Sequence, residues 1–303
     1  MCNYGYAVGA AMLSVTGFAA VAYFIYRRVV RGPKKLLLDT SATYSVKLVE
    51  KKEVSHDTRM FRFALHSPNQ VLGLPIGQHV YLSAKVNGQL VVRPYTPISQ
   101  SDEEGSVTFV IKVYKSNVHP KFPQGGKMTQ HLDSLKIGDE INIRGPSGLL
   151  VYEGQGCFAI SERKNGPVSR KLVRSVGMIA GGSGITPMYQ VMQAMLRDPF
   201  DSVDIHLLFA NKSEDDILLR HELEAMAKNY PQRCKIWYTV DVQGSNDWPY
   251  SVGHINAEML RAHMPSPAPD VLIMLCGPPG MVNYAAKPSL DALLYSPSSV
   301  FVF

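Results

Sequence analysis

The sequence predicts a β + α/β protein: an antiparallel β-barrel, then a parallel sheet with helices on both faces, behind an N-terminal membrane helix. Three observations carry this. From Tyr44 to Gly145 the apolar pattern has a period of two, with turn residues between short runs. From Val176 onward strand-like runs alternate with helix-like ones. Ahead of both, Ala7–Tyr26 is apolar and carries no charge. The expected divisions are 1–35 for the anchor and its basic flank, 36–150 for the barrel, 151–175 for a hinge and 176–303 for the α/β domain.

At about 1.5 Å per residue, the stretch Ala7–Tyr26 spans roughly 30 Å, the hydrocarbon thickness of a bilayer. Arg27, Arg28, Arg31, Lys34 and Lys35 follow it and no basic residue precedes it, which leaves the C-terminal body in the cytoplasm. The small-x-small pattern Ala20-Val21-Ala22 suits a cleaved signal peptide, but the basic n-region is missing and the apolar run is too long. Cys2 after the first methionine does not meet the myristoylation pattern.

The 303 residues are enough for two domains, and the 46% hydrophobic and 18% charged fractions are those of a folded protein. A net charge of +6 suits an acidic protein partner or anionic lipid, and no long basic run suggests nucleic acid. Cys2, Cys157, Cys234 and Cys276 have no paired spacing. That argues against zinc, an iron–sulfur centre and a disulfide framework, and no metal is expected.

In the first half, strands are expected at Met60–Leu65, His79–Val86, Gln89–Arg93, Val107–Tyr114 and Glu140–Arg144, with Asn87-Gly88 as a hairpin turn. Met128–Leu135 is the helical candidate, preceded by Gly125-Gly126-Lys127. Arg93-Pro94-Tyr95-Thr96 at a strand end offers a guanidinium able to grip a phosphate. Lys112 falls on the face opposite Ile111 and Val113, as a solvated strand residue does. The glycines before Lys127, Met128 and Thr129 mark a second place for an anion at a helix start.

The stretch 152–174 is polar and basic, with Arg163, Lys164 and Gly166-Pro167, and reads as a connection. Strands are then expected at Val176–Ala180, Ile205–Ala210, Lys235–Val240 and Val271–Leu275. Helices are expected at Pro187–Leu196, Ile217–Tyr230, Ala257–His263 and Met281–Ala286. In such sheets ligands bind beyond the carboxyl ends of the strands. The residues there are Gly181, Gly182, Ser183 and Gly184 before Thr186-Pro187, then Asn211, Asp241 and Cys276-Gly277-Pro278-Pro279. Asp241 suits a ribose diol and equally a surface turn before Gly244. Cys276 by default is a small buried residue.

Arg93–Thr96, Ile111-Lys112-Val113-Tyr114, Gly125–Thr129, Gly145–Leu149, Gly181–Pro187, Leu275–Pro279 and the Phe301-Val302-Phe303 terminus follow one another in this order. Together, from about Tyr44 to Phe303, they resemble the NADH-cytochrome b5 reductases of the ferredoxin-reductase-like flavoproteins. The resemblance implies an FAD-binding β-barrel domain, a Rossmann-like NAD-binding domain and a membrane-anchored, NADH-specific oxidoreductase. Its cofactors are FAD and NADH. It implies that Arg93 binds the FAD pyrophosphate, with Pro94, Tyr95 and Thr96 along the flavin and Thr96 near its reactive nitrogen. Val110 and Lys112 belong to the same site, Lys112 near the nicotinamide. Lys127, Met128 and Thr129 cradle the diphosphate, and Thr186 closes over the ring. Gly181, Gly182, Ser183, Asp241, Gly277 and Pro278 hold the dinucleotide, Asp241 favours NADH, and Cys276 shapes the nicotinamide position. Thr96, Lys112 and Cys276 are the expected catalytic residues.

The implied partner is cytochrome b5 or a similar acidic haem protein from another chain, met by a monomer through Lys121, Lys127, Arg163 and Lys164. No glycine pair follows His119-Pro120, so the chain lacks that haem-ligand pattern. The implied location is the endoplasmic reticulum or mitochondrial outer membrane, in lipid metabolism including sterol biosynthesis. Ser183, Gly280 and Lys115 depart from the usual threonine, proline and aromatic. The Gly280 departure leaves open a membrane-tethered FAD/NADH-binding scaffold or sensor with little turnover.

Overall fold

The computed structural model describes residues 32–118, 120, 122–244 and 246–303. The expected anchor, Ala7–Tyr26, lies outside the described residues, as do His119 and Lys121. Among the described residues no helix is long and apolar enough to cross a membrane.

The first domain is a six-stranded antiparallel sheet. Its strands are β1 (Tyr44–Ser55), β2 (Thr58–Ala64), β3 (His79–Val86), β4 (Gln89–Tyr95), β5 (Ser106–Lys112) and β6 (Glu140–Ser147), in the order β4-β3-β6-β1-β2-β5. Alternation decides the inner face: Phe61 and Phe63 of β2 are fully buried beside Phe109 of β5, with Leu48, Leu82 and Ile143. Asn87 and Gly88 both take positive φ, 50° and 77°, as a two-residue hairpin demands. The two edge strands approach one another: Ile98, just past β4, donates its N–H to the Thr108 carbonyl of β5 at 2.9 Å. Helix α1 (Lys127–Ser134) drops Met128 and Leu132 into the same core. Lys34–Lys35 pairs in parallel with Gln70–Val71, and Leu36 and Leu37 enter the core, which seats the described part of the basic flank on this domain.

Residues 151–175, read from their composition as a connection, carry structure of their own. Strands β7 (Leu150–Gly154), β8 (Cys157–Ser161) and β9 (Val168–Leu172) make a three-stranded antiparallel sheet, and the basic Arg163–Pro167 run turns between β8 and β9. Tyr152 and Phe158 are buried in one core with Met188 and Ile205 of the second domain.

The second domain is a six-stranded parallel sheet: β10 (Ser175–Gly181), β11 (Asp204–Asn211), β12 (Cys234–Val240), β13 (Ser251–Val252), β14 (Val271–Cys276) and β15 (Val300–Val302), in the order β13-β12-β11-β10-β14-β15. Helix α2 (Ile185–Arg197) covers one face through Met188, Val191, Met192 and Met195 above Met178, Leu207 and Met274. Helix α4 (Ala257–His263) and α5 (279–292) cover the other, where Leu260, Val282 and Leu290 pack on Ile179, Leu208 and Ile273. Successive strand residues thus serve opposite cores, and burial on both faces explains the continuous apolar runs. Helix α3 (Arg220–Asn229) starts later than expected, because Leu219 takes a left-handed φ of 56°. Helix α5 widens into a π-turn over Val282–Ala286 just before Pro288, a residue with no N–H to give the preceding turn.

Candidate active site

The sheet grows from β10 through β11 to β12, and the chain then crosses back to place β14 on the other side of β10. The crevice at that reversal, outside the strands' carboxyl ends, is where open parallel sheets bind ligands. Here it is formed by the turn after β10 and the turn after β14. Gly182 has a φ of 53° and open space where a Cβ would stand. Its neighbours are glycine for a different reason. A Cβ on Gly181 would meet Met281 Sδ at 2.6 Å and Pro278 Cδ at 2.9 Å, and one on Gly277 would meet Met281 Cε at 2.6 Å and Gly181 N at 3.1 Å. Gly181 and Gly277 were expected as residues that hold a dinucleotide; their missing side chains make room for the opposing turn. Gly184 is tighter still, since its Cβ would overlap the Cys276 carbonyl.

Thr186 is buried, and its hydroxyl donates to the Ser183 carbonyl at 3.2 Å, tying the start of α2 to the turn. Burial pushes the Cys276 thiol up to about 11, so at neutral pH it is a protonated, half-buried thiol and not a nucleophile. Pro278 is exposed, and its carbonyl accepts from Val282 N at 3.1 Å. At the end of β11, both amide atoms of Asn211 are buried without a hydrogen-bond partner among the described residues. Asp241, exposed after β12, donates its backbone N–H to the Asn211 carbonyl at 3.1 Å, and its carboxylate lies 3.6 Å from His254 Nε2.

The first domain brings the remaining residues to the junction. Arg93 and Pro94 are exposed; among the described residues the Arg93 guanidinium bonds only to the adjacent Val92 carbonyl, at 2.7 Å. Tyr95 turns inward, edge-on to Phe109, and burial pushes its phenol far above the ordinary value. Thr96 is half-buried beyond it, and Val110 joins the core shared by both domains. At α1, Gly126 has no side-chain cap to offer, so the first-turn N–H groups are left for a ligand. Gly125 has a φ of 64°, and a Cβ on Gly126 would strike Thr129 Oγ1 at 2.5 Å. Among the described residues Lys127 reaches only Gln89 Oε1, at 3.4 Å. The side chains of Met128 and Thr129 are engaged within the first domain. Met128 is a core side chain, and Thr129 Oγ1 is occupied, accepting from Tyr114 N at 3.2 Å and donating to the Gly126 carbonyl at 3.1 Å. Each has only its backbone N–H to offer an anion.

Cross-domain contacts among the described residues escaped sequence reasoning. Tyr114 Oη lies 3.5 Å from Ser183 Oγ, joining the β5 end to the glycine turn. Buried Gln190 of α2 accepts from Gly77 N at 2.7 Å and donates to the Gln78 carbonyl at 3.4 Å. Asp201, after α2, accepts from Tyr152 Oη and from Arg233 Nη2 at 3.2 Å. Lys112, expected on a solvated face, is a bridge: its Nζ lies 2.7 Å from Asp57 of the first domain and 2.7 Å from Asp216 of the second. Burial pulls the Lys112 pKa down, but the two carboxylates outweigh it and the net shift is upward. His79 Nε2, also unanticipated, is buried without a partner among the described residues.

Gly280 occupies the first turn of α5, and a Cβ there would meet nothing. The glycine loosens a helix start and clears no space. Gly280→Ala is therefore expected to stabilise the protein by about 0.5 kcal/mol through the unfolded state, read as a rise in the thermal midpoint.

The donors fit the two expected cofactors. Two cations without a carboxylate partner among the described residues, and an uncapped helix start, suit a diphosphate. Unpaired Asn211 and a glycine turn at the sheet's reversal suit a dinucleotide. Comparison with known proteins agrees. Residues 45–152 match the oxidoreductase FAD-binding domain family and residues 178–287 the oxidoreductase NAD-binding domain family. NADH-cytochrome b5 reductase 1 of Bos taurus is 50% identical over 296 residues, covering 98% of this chain and 96% of that protein. NADH-cytochrome b5 reductase 3 of Rattus norvegicus is 52% identical over 272 residues, 89% of this chain and 90% of that one. The cytochrome b5 reductase domain of Ulva prolifera nitrate reductase superposes with a TM-score of 0.83 at 41% identity, covering 89% of this chain and all of that domain. Two cofactor-domain families in the same order, and half-identity over nearly the whole length, show that the chain belongs to the NADH-cytochrome b5 reductase family.

Proposed function

We propose that this protein carries electrons from NADH through FAD to cytochrome b5 or a similar haem protein. The observation that carries the reading is the meeting of the two motif sets at one junction, where Tyr114 of the first domain touches Ser183 in the glycine turn of the second. FAD supplies the chemistry: it accepts the nicotinamide's electron pair and releases electrons one at a time. The chain's residues bind and orient. Arg93, Lys127 and the α1 N-terminus neutralise the FAD diphosphate, with Pro94, Tyr95 and Thr96 on the strand that leads to it. Gly182, Ser183, Pro278 and Asp241 border the dinucleotide, Thr186 fixes the turn between the two sites, and Cys276 fills space beside it. The experiment is spectroscopic: purified protein is yellow and bleaches anaerobically with NADH. Flavin that binds without bleaching marks the scaffold or sensor reading.

The acceptor's acidic face is matched here by exposed Lys127, Arg163 and Lys164. Residues 7–26, apolar and followed by basic residues, would anchor the chain in the endoplasmic reticulum or mitochondrial outer membrane, its body facing the cytosol and serving lipid metabolism such as sterol biosynthesis. Membrane fractionation with and without residues 1–31 tests the anchor. Asp241 would repel the 2′-phosphate that distinguishes NADPH, so Asp241→Ala is expected to shrink the ratio of NADH to NADPH turnover by about tenfold. An unchanged ratio would remove Asp241 from specificity.

A further inference from the structure

The Lys112 bridge is built more firmly than a surface ion pair. Side-chain exposures are 15% for Lys112, 18% for Asp57 and 12% for Asp216. Each carboxylate is itself held: Asp57 accepts from Thr58 Oγ1 at 3.1 Å, and Asp216 from Ser213 Oγ at 2.8 Å. Asp57 sits in the β1–β2 turn and Asp216 in a 3-10 turn, Glu214–Asp216, just beyond Asn211 at the carboxyl edge of β11. His56 also neighbours the pair, its Nε2 3.4 Å from Asp57 Oδ2. Two carboxylates, one from each domain, therefore share one ammonium. An anionic ligand arriving there meets a lysine whose charge is already more than cancelled.

We propose that Asp57 and Asp216 are positioning residues that compete with the bound dinucleotide for the Lys112 ammonium. The cross-domain bridge yields when the dinucleotide enters and re-forms when it leaves. This rests on the reading that Lys112 lies at the dinucleotide site. The compact ammonium has three donors on a flexible stem, so it can turn from a carboxylate to a ligand without moving its strand. Replacing one carboxylate by its neutral isostere removes a competitor and leaves the cluster neutral, so that it no longer repels an anion.

The test uses the full chain with its FAD and NAD+ as probe, because NAD+ binds the oxidised protein without turnover. Dissociation constants come from the change in flavin absorbance for the wild type, Asp216→Asn, Lys112→Met and the double variant. Thermal midpoints and flavin content are measured alongside. Asp216→Asn is expected to tighten NAD+ about fivefold, Lys112→Met to weaken it, and the Asp216→Asn effect to vanish in the Lys112→Met background. Asp57→Asn gives the same reading from the other domain should Asp216→Asn fold poorly. Unchanged or weaker NAD+ binding in Asp216→Asn overturns the proposal while leaving the Lys112 reading intact, provided Lys112→Met weakens binding. Tightening that persists without Lys112 also overturns it. Unaltered NAD+ binding in Lys112→Met sinks the underlying reading instead, and the proposal with it. A purely structural bridge would lower the thermal midpoint and leave the dissociation constant where it was.

Discussion

Replacing Gly184 by alanine is expected to lower kcat/KM for NADH by about 100-fold while FAD content stays near that of the wild type. The backbone φ of Gly184 is −64°, which alanine adopts freely, so the whole effect is steric. The new Cβ would overlap the Cys276 carbonyl oxygen and lie 2.5 Å from its carbon and 2.9 Å from Gly277 N. All three are backbone atoms that cannot rotate aside. Relief comes only by parting the β10 turn from the β14 end, and a displacement of about 1 Å at a reacting pair costs about 100-fold. FAD is retained because its diphosphate donors, Arg93, Lys127 and the start of α1, belong to the first domain. Gly182→Ala gives the contrast in stability: it meets no protein atom and has only a left-handed φ of 53° to resist it, so its cost is about 1 kcal/mol. Steady-state kinetics on Gly184→Ala decide the matter, and an enzyme of wild-type efficiency would show that the two turns need not touch.

Asp201→Ala carries the largest expected loss of stability, about 3 kcal/mol, or about 6–12 °C in the thermal midpoint. Its side chain is fully buried, and it accepts from Tyr152 Oη, Arg233 Nη2 and Val203 N, the last at 2.9 Å. Truncation leaves Arg233, 23% exposed, without its carboxylate and Tyr152 without its acceptor at the seam between the domains. Burial raises the Asp201 carboxyl pKa against the Val203 N–H and Arg233, which pull it down. A raised folded-state value means that protonation of this group contributes stability fully present below the usual aspartate value of about 3.9 and lost as pH rises through the folded value. The advantage of the wild type over Asp201→Asn should accordingly be larger in acid than at neutral pH. Calorimetry across that range checks both statements.

Much of the architecture could be read before any coordinates because it is periodic. Phe61 and Phe63 flank Arg62 and fall on one face, and Val176–Ala180 is apolar throughout because alternate residues serve different helices. The glycine turns were also legible, though glycine itself does not distinguish a contact with ligand from a contact with the next turn: Gly182 is open, whereas Gly181, Gly184 and Gly277 are filled by neighbours. What stayed hidden has no local pattern. Lys112 and Asp216 are 104 positions apart, and an alternating strand places a bridging lysine where it would place a solvated one. Gln190 sits on an apolar helix face 113 positions from the Gly77 N–H it satisfies. Composition marked 151–175 as a connection because β9 is mostly exposed, whereas Tyr152, Phe158 and Val173 pack into the core.

The most direct test of the electron path is an anaerobic titration of the purified, FAD-bearing protein with NADH, followed by oxidised cytochrome b5. One equivalent of NADH should bleach the flavin, and cytochrome b5 should then restore the yellow form as two haems are reduced per flavin. A flavin that stays oxidised in excess NADH, or one that bleaches and passes nothing to the haem, would contradict the account.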